Sequence, residues 1–396
     1  MSAAPPYSPD GPPARVGLIG TGFIATGLLA LLRDAKDLNP TRVLSRRPPE
    51  AILAAARELH TSSLQELLDN SDVVVECSGD VHHGAEVVNA ALEAGKPVVT
   101  MGTELHVTVG SYFVGKGLLS EAGGDQPGSL AMLHEEAVEM GFRPLVYGNI
   151  KGFLNHYPTR EDMEYWAERQ GISLAQVTSF TDGTKLQMEQ ALVANGLGAN
   201  IARRGLLGPA DLDLQAGGHF LASKAKELGY PISDYLLNPK LPAGVFITAE
   251  HTIERPEVLR YLKLGEGPYY TLLRPYHLCH LEVPRTIRRI LRRERPLLNN
   301  GPHPTITVCA VAKRDIEAGT VITQAMGGMD VRGEAARISE NPDATPIGLL
   351  AGARVTRNIE RDETLTHDAV ELPDTFATRA WHSVHKATLE RMATAG

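Results

Sequence analysis

Three stretches of this 396-residue chain set ionisable side chains in apolar surroundings, where an unpaired charge is costly. Lys151 lies in YGNIKGFLN, Asp182 and Lys185 lie in FTDGTKLQMEQALVANG, and the run from Tyr261 to His277 is dense in donors, with Lys263, Tyr269, Tyr270, Arg274 and Tyr276 inside it. Asp182-Gly183 reads as a turn that starts a helix, which puts Lys185 and Glu189 four residues apart on one face. A lysine so placed can donate to a carbonyl oxygen as negative charge develops, with Asp182 or Glu189 orienting it or holding a divalent cation. The plain alternative is an i,i+4 salt bridge on a surface helix.

Such groups need a scaffold and a reactant, and the N-terminal part supplies a candidate for both. From Arg15 the apolar run RVGLIG ends in Gly20-Thr21-Gly22-Phe23-Ile24-Ala25, followed by the helical stretch GLLALLRDA. Strand, glycine turn and helix in that order suit a dinucleotide. Gly20 permits the tight turn, Gly22 lets the backbone approach a pyrophosphate, Ala25 allows close helix packing, and the helix N-terminus faces the phosphates. The second strand, TRVLSRR, ends in Ser45, Arg46 and Arg47, where an NAD-selective site usually has an acidic residue. A hydroxyl and two guanidinium groups suit a ribose 2′-phosphate, so NADP(H) is expected over NAD(H); exposed loop arginines are the alternative. SDVVVECSGD and GKPVVTMG read as further buried strands separated by a helix. The loops after them, with Ser78 and Gly79 and then Gly102 to Glu104, are expected to line the crevice. Glu104 is a candidate for positioning nicotinamide or substrate, or an ordinary loop carboxylate.

Composition narrows the class. A net charge of −8 argues against a nucleic-acid or membrane-surface binder. The basic run from Arg285 to Arg295 is the local exception. It reads as a short helix burying Ile287, Ile290 and Leu291 with its arginines in water, the other reading being an anionic-ligand or subunit contact. Three cysteines without a CxxC pair fit a reducing compartment. With no apolar leader-like segment at the start, a cytoplasmic protein with a flexible N-terminal tail is expected.

The segments GLIGTGFIATG, GDQPG, SFTDGTKLQMEQALVANG, YLKLGEGPYYTLLRPYHLCHLEVP and VAKRDIEAGTVI resemble the homoserine-dehydrogenase-like oxidoreductases with a C-terminal SAF domain. That group includes the 1-deoxy-D-xylulose 5-phosphate reductoisomerase-like (DRL) enzymes. The resemblance spreads over nearly the whole chain. It implies an α/β protein: a flexible tail over 1–14, an NADP-binding Rossmann domain over 15–145, an α+β catalytic domain over 146–300, a small β-rich SAF-like module over 301–375, and a helix or tail over 376–396. It also implies NADPH-dependent reduction of a small polar, phosphorylated carbonyl compound and a link to isoprenoid biosynthesis. In a DRL-type reaction, skeletal rearrangement precedes reduction and Mg2+ or Mn2+ chelates the substrate. Carried onto this chain, Lys151, Lys185, Lys263 and Arg274 become candidate electrophiles or phosphate ligands, Asp182 and Glu189 cation ligands, and Tyr270 or His277 a proton donor. A homo-oligomer with a small-molecule substrate is expected.

The chain departs from that pattern in two places. YFVGKGLLSEAGGDQPG reads as lacking a strand that longer relatives have, and Phe153 and His156 stand where smaller or polar residues are expected. In the central part, AQVTSFTDG reads as strand-like and TREDMEYWAERQG as helix. The C-terminal module repeats a strand and an acidic turn (DIEAGTVI, NIERDETLT), which hairpins explain; by resemblance it covers the cleft or forms a subunit contact. Dehydrogenation of another small metabolite and a non-catalytic NADP(H) sensor are the competing functions.

Overall fold

The computed structural model describes residues 7–8, 10–253 and 257–395. Half of the expected tail lies outside them, and the Tyr7 hydroxyl donates to Asp37. The first layer is a six-stranded sheet ordered β3-β2-β1-β4-β5-β6, every pair parallel. Its strands are β1 (Ala14–Ile19), β2 (Leu38–Leu44), β3 (His60–Thr61), β4 (Val73–Glu76), β5 (Val98–Thr100) and β6 (Leu119–Glu121). Helices α1 (Phe23–Arg33), α2 (Ala54–Arg57), α3 (Leu64–Asp69), α4 (Val81–Glu93) and α5 (Thr103–Phe113) connect them. Burial on both faces explains the unbroken valine run of β4, which is wholly buried. The segment leading into GDQPG supplies β6. With only three residues, all buried, it shows no alternation that a sequence pattern could reveal.

Helix α6 (Gln126–Glu139) leads into a second sheet of order β10-β9-β7-β8, built from β7 (Phe142–Lys151), β8 (Ile232–Leu237), β9 (Val245–His251) and β10 (Tyr270–Arg274). Only β7 and β8 are parallel. Side chains alternate across this sheet as a period of two demands. Val146, Ile150 and Phe246 pack with Leu221 and Ala225 of α10 (Leu214–Leu228), whereas Tyr147, Val245 and Ile247 pack with Leu130 and Leu133 of α6. Between β7 and α10 lie α7 (Arg160–Gln170), α8 (Leu174–Thr181) and α9 (Thr184–Leu197). The strand expected at AQVTSFTDG is therefore α8. The side chain of Ser173 accepts from Gln176 N while the Gln176 side chain accepts from Ser173 N, a reciprocal cap that fixes a helix despite the β-branched residues after it.

After α11 (Glu257–Tyr261) and β10, the chain returns to the first sheet. Helix α12 (Val283–Leu291) buries Val283, Ile287 and Ile290 against Leu18, Leu28 and Val99. Its arginines are not all in water: Arg288 Nε binds Asp37 Oδ2 at 2.7 Å and Arg289 Nη2 binds Glu135 Oε1 at 2.7 Å, pinning α12 to the first layer and to α6.

The C-terminal module comprises an antiparallel pair, β11 (Ile306–Ala312) with β13 (Val331–Arg337), and a three-stranded sheet of β12 (Val321–Ile322), β14 (Ala353–Val355) and β15 (Val370–Glu371). Its apolar side chains form one core with α9, including Leu186, Met188 and Leu192. The last helix, α13 (Phe376–Ala395), returns to the first layer, where Ala377 and Trp381 join the core of α4 and α5. No helix among the described residues is long and apolar enough to cross a membrane.

Candidate active site

Two neighbouring arrangements carry chemistry. The first is the turn between β1 and α1. Gly20 has φ +105°, and a Cβ there would lie 2.7 Å from the Cys77 carbonyl oxygen, so only glycine fits. Gly22 precedes α1 with open space where its Cβ would be, and no side chain caps the helix. Its first-turn amides are thus available to an anion. Phe23 is exposed with its ring edge-on to His280, and Ile24 is half-buried. Across the crevice, Ser78 N and Thr100 Oγ1 donate to the buried Glu76 at 2.7 and 2.9 Å, and burial pushes that carboxyl above the usual range. Gly79 at φ +69° and Gly102, whose amide donates to Thr100 Oγ1 at 2.8 Å, complete the rim. Beyond β2, Ser45 is buried and accepts from Arg47 N at 3.0 Å, while the exposed Arg46 pairs with Asp80 Oδ2 at 2.7 Å. These residues fit a dinucleotide.

The second arrangement is a buried cluster gathered from distant segments. Asp125 caps α6, and its Oδ2 lies 3.0 Å from Lys185 Nζ; Glu104 Oε2, in the first turn of α5, is 3.7 Å from the same ammonium. One turn along α9, Glu189 Oε2 accepts from Asn149 Nδ2 at 2.8 Å and from Lys151 Nζ at 3.3 Å, both on β7. Gln126 ties the halves together. With its amide oriented to satisfy its neighbours, it donates to Glu189 Oε1 at 3.1 Å and Asp125 Oδ1 at 2.6 Å, and accepts from Lys151 Nζ and His277 Nε2, both at 3.2 Å. Behind Asp125, Thr103 Oγ1 donates to Glu121 Oε1 at 2.9 Å, and Glu121 Oε2 pairs with His106 Nδ1 at 3.0 Å, both side chains fully buried.

Burial alone would lower the Lys185 ammonium, but Asp125, Glu104 and Glu189 outweigh it and hold it well above the usual lysine value. Burial opposes ionisation of Asp125 too, yet Lys185 keeps its carboxyl below the usual range. Glu189 goes the other way, burial raising it in spite of Lys151. The cluster therefore presents an ammonium held in its protonated form beside a carboxylate that favours ionisation and one that takes a proton more readily.

Of the residues singled out from sequence, Lys151, Lys185, Glu189, Glu104 and His277 meet here. The others lie elsewhere. Tyr270 is buried in the apolar face of the second sheet against Phe142, Lys263 is exposed at a left-handed turn (φ 68°), and Arg274 is locked to Glu282 and stacked over Tyr276. Asp182 turns toward the C-terminal module: its Oδ2 is 2.9 Å from Lys313 Nζ and its Oδ1 accepts from Thr184 N at 2.9 Å. Asp182 and Glu189 thus engage different partners, and among the described residues no three His, Cys, Asp or Glu side chains converge to hold a metal. The i,i+4 pair read for Lys185 and Glu189 is replaced by bonds to other segments. Phe153 and His156 are exposed on the loop after β7.

Sequence reasoning missed Asp125, Gln126, Asn149, Glu121 and His106. One signal was present for Asp125: Asp-Gln-Pro places a capping residue just ahead of a proline in the first helical turn.

Three domain families match the chain in series. They are the NAD binding domain of homoserine dehydrogenase over residues 20–109, the catalytic domain described as Oxidoreductase DRL over 124–283, and the SAF domain over 307–371. No curated protein matches. Solved structures that match include one described as a probable dehydrogenase from Thermotoga maritima, at 16% identity over 72% of this chain and 91% of that one, TM-score 0.43. UDP-N-acetylglucosamine 3-dehydrogenase from Acidithiobacillus ferrooxidans matches at 12% identity over 72% and 92%, TM-score 0.42. A dehydrogenase from Clostridium difficile matches at 13% over 72% and 94%, TM-score 0.40.

Proposed function

We propose that this NAD(P)-dependent oxidoreductase, which matches a homoserine dehydrogenase NAD binding domain, a DRL catalytic domain and a SAF domain in series, uses NADPH to reduce a small polar carbonyl compound, with Lys185 completing the alcohol. The observation that carries this reading is the buried ammonium held between Asp125 and Glu104. When bound, the reduced nicotinamide is the hydride source. Gly22 and the first-turn amides of α1 would hold the pyrophosphate, and Ser45 with Arg46 and Arg47 would hold the 2′-phosphate. Lys185 Nζ donates to the carbonyl oxygen and stabilises the charge that develops there, then yields a proton to the far more basic alkoxide. Lys151, steadied by Glu189 and Gln126, offers a second donor for a neighbouring substrate oxygen.

The phosphorylated character of the substrate, a DRL-type rearrangement and a place in isoprenoid biosynthesis rest on the resemblance. No step is routed through Mg2+ or Mn2+, because Asp182 and Glu189 do not share a point where either would sit. Domain limits at 15–145, 146–300 and 301–375, a cytoplasmic setting and a homo-oligomer belong to the same reading. Dehydrogenation of a small alcohol is the second reading, favoured by the homoserine dehydrogenase match and by a lysine that serves either direction.

The test is NADPH oxidation with 1-deoxy-D-xylulose 5-phosphate, with and without a divalent cation, followed by a panel of aldehydes and ketones. A branched product supports the reductoisomerase, and reduction of another carbonyl the broader reductase. Failure of folded protein to bind either form of the nucleotide by calorimetry sinks the proposal.

A further inference from the structure

Helix α9 has two working faces, and only one points at the cluster. Lys185 and Glu189 meet the carboxylates and amides described above, whereas Thr184 and Gln187, three residues apart on another stripe, meet the C-terminal module. Strand β13 has β11 on one side only, so its other edge presents backbone groups that need partners. The amides of Gly333 and Ala335, alternate residues on that edge, donate to Thr184 Oγ1 and Gln187 Oε1, each at 2.9 Å. The strand comes so close that a Cβ on Gly333 would lie 3.1 Å from Thr184 Cγ2.

A buried ion pair completes the hold. Lys313, just past the end of β11, reaches Asp182 Oδ2 at 2.9 Å and also donates to the Gly328 carbonyl, while the other Asp182 oxygen caps α9 through Thr184 N. Both charged side chains are essentially removed from solvent, at 4% and 0% exposure. Taking such a pair out of water is costly unless close geometry and further hydrogen bonds offset it. Here it fixes the first turn of the helix one residue away from Lys185.

We propose that the SAF module is a positioning element of the active site: Lys313 and the open edge of β13 clamp the start of α9 and so set where Lys185 stands. Asp182, Lys313 and Thr184 are on this account positioning residues that act through Lys185. The inference rests on the functional reading above for its meaning in turnover, but the clamp itself is read without a substrate.

The test uses two variants of the full chain. Asp182→Asn/Lys313→Met removes both buried charges together, so no unpaired ion is left to unfold the protein, and Thr184→Val removes one hydroxyl in place. The readout is the rate at which Lys185 is acetylated, followed by mass spectrometry, with exposed Lys36 as the internal control and NADPH affinity by calorimetry as the check on the first layer. Expected are NADPH dissociation constants within about twofold of the parent, unchanged Lys36 labelling, and Lys185 labelling faster by about tenfold in the double variant and about threefold in Thr184→Val, as order-of-magnitude effects of losing a charge-assisted and a neutral hydrogen bond. Where 1-deoxy-D-xylulose 5-phosphate is turned over, kcat falls in the same order while the KM for NADPH holds. Parental labelling of Lys185 in both folded variants overturns the proposal. Parent protein that fails to bind NADPH sinks the functional reading instead, and that result is seen before any variant is made.

Discussion

The cofactor turn and the lysine cluster lie in the same chain but are made in opposite ways. The turn is backbone: Gly20, Gly22 and the uncapped amides of α1 come from a few consecutive residues, and of the side chains near it Phe23 and Arg46 are exposed. The cluster is side chains: Glu104, Asp125, Lys151, Lys185, Glu189 and His277 arrive from α5, the start of α6, β7, α9 and the loop after β10, and each is buried or half-buried. A backbone site needs little beyond its own local geometry to be ready for an anion. A buried charge cluster has to be complete, because each member left without its partner bears the desolvation penalty alone.

That contrast predicts separable failures. The largest is expected from Lys185→Met, which should lower kcat by about 10²- to 10⁴-fold, the range of a lost positioned proton donor, and leave NADPH affinity unchanged. A parallel loss of binding would show that the two regions are one unit. Gly20→Ala should do the reverse. Its forced left-handed φ and the contact with the Cys77 carbonyl should cost about 1–3 kcal/mol of stability, read by denaturant unfolding, and weaken the nucleotide before any effect on the lysine cluster.

A smaller effect separates the two nicotinamide cofactors. Replacing Arg46 and Arg47 together by alanine should raise the KM for NADPH about tenfold or more through lost charge-assisted bonds, with little change for NADH. Equal changes for both would remove these arginines from the 2′-phosphate. The smallest effect concerns the ion pair that fastens α12 to the first layer. The hydrogen bond from Arg288 holds the Asp37 carboxyl well below the usual carboxylate range, against the push of burial. A carboxyl depressed by folding adds stability that is fully present above its unfolded value and is lost as pH falls through its folded one. Acid titration of unfolding should therefore show a loss of about 1 kcal/mol at the acid end that Arg288→Met reduces, the Tyr7 hydroxyl keeping part of it, and modest because the arginine is partly exposed.

The same contrast explains what could be read without a structure. Strand, glycine turn and helix are contiguous, so the first layer and its glycine turn were legible. Lys185 and Glu189 stood out by spacing, but their partners did not. A four-residue interval suggests that they bond each other, and only the tertiary arrangement puts Asp125 and Asn149 closer. Helix α8 was hidden because Val177, Thr178 and Thr181 favour strands, and a capping pair at Ser173 and Gln176 outweighs them. Strand β6 was hidden by its brevity. Tyr270, Lys263 and Arg274 drew notice because their stretch is rich in donors, yet alternation along β10 and a local turn send them to the core, to solvent and to Glu282.

The first layer recruits α12 and α13 from far along the chain to finish its two apolar faces. A fragment ending near residue 145 would carry the whole nucleotide turn and still leave two greasy surfaces wet, the sites where Ile287 and Trp381 belong. Such a piece should clump or need a detergent rather than behave as a portable nucleotide-binding unit, and protease cuts in the intact protein should release few stable fragments. The first sheet is therefore sealed only once α13, more than two hundred residues after β6, has been made.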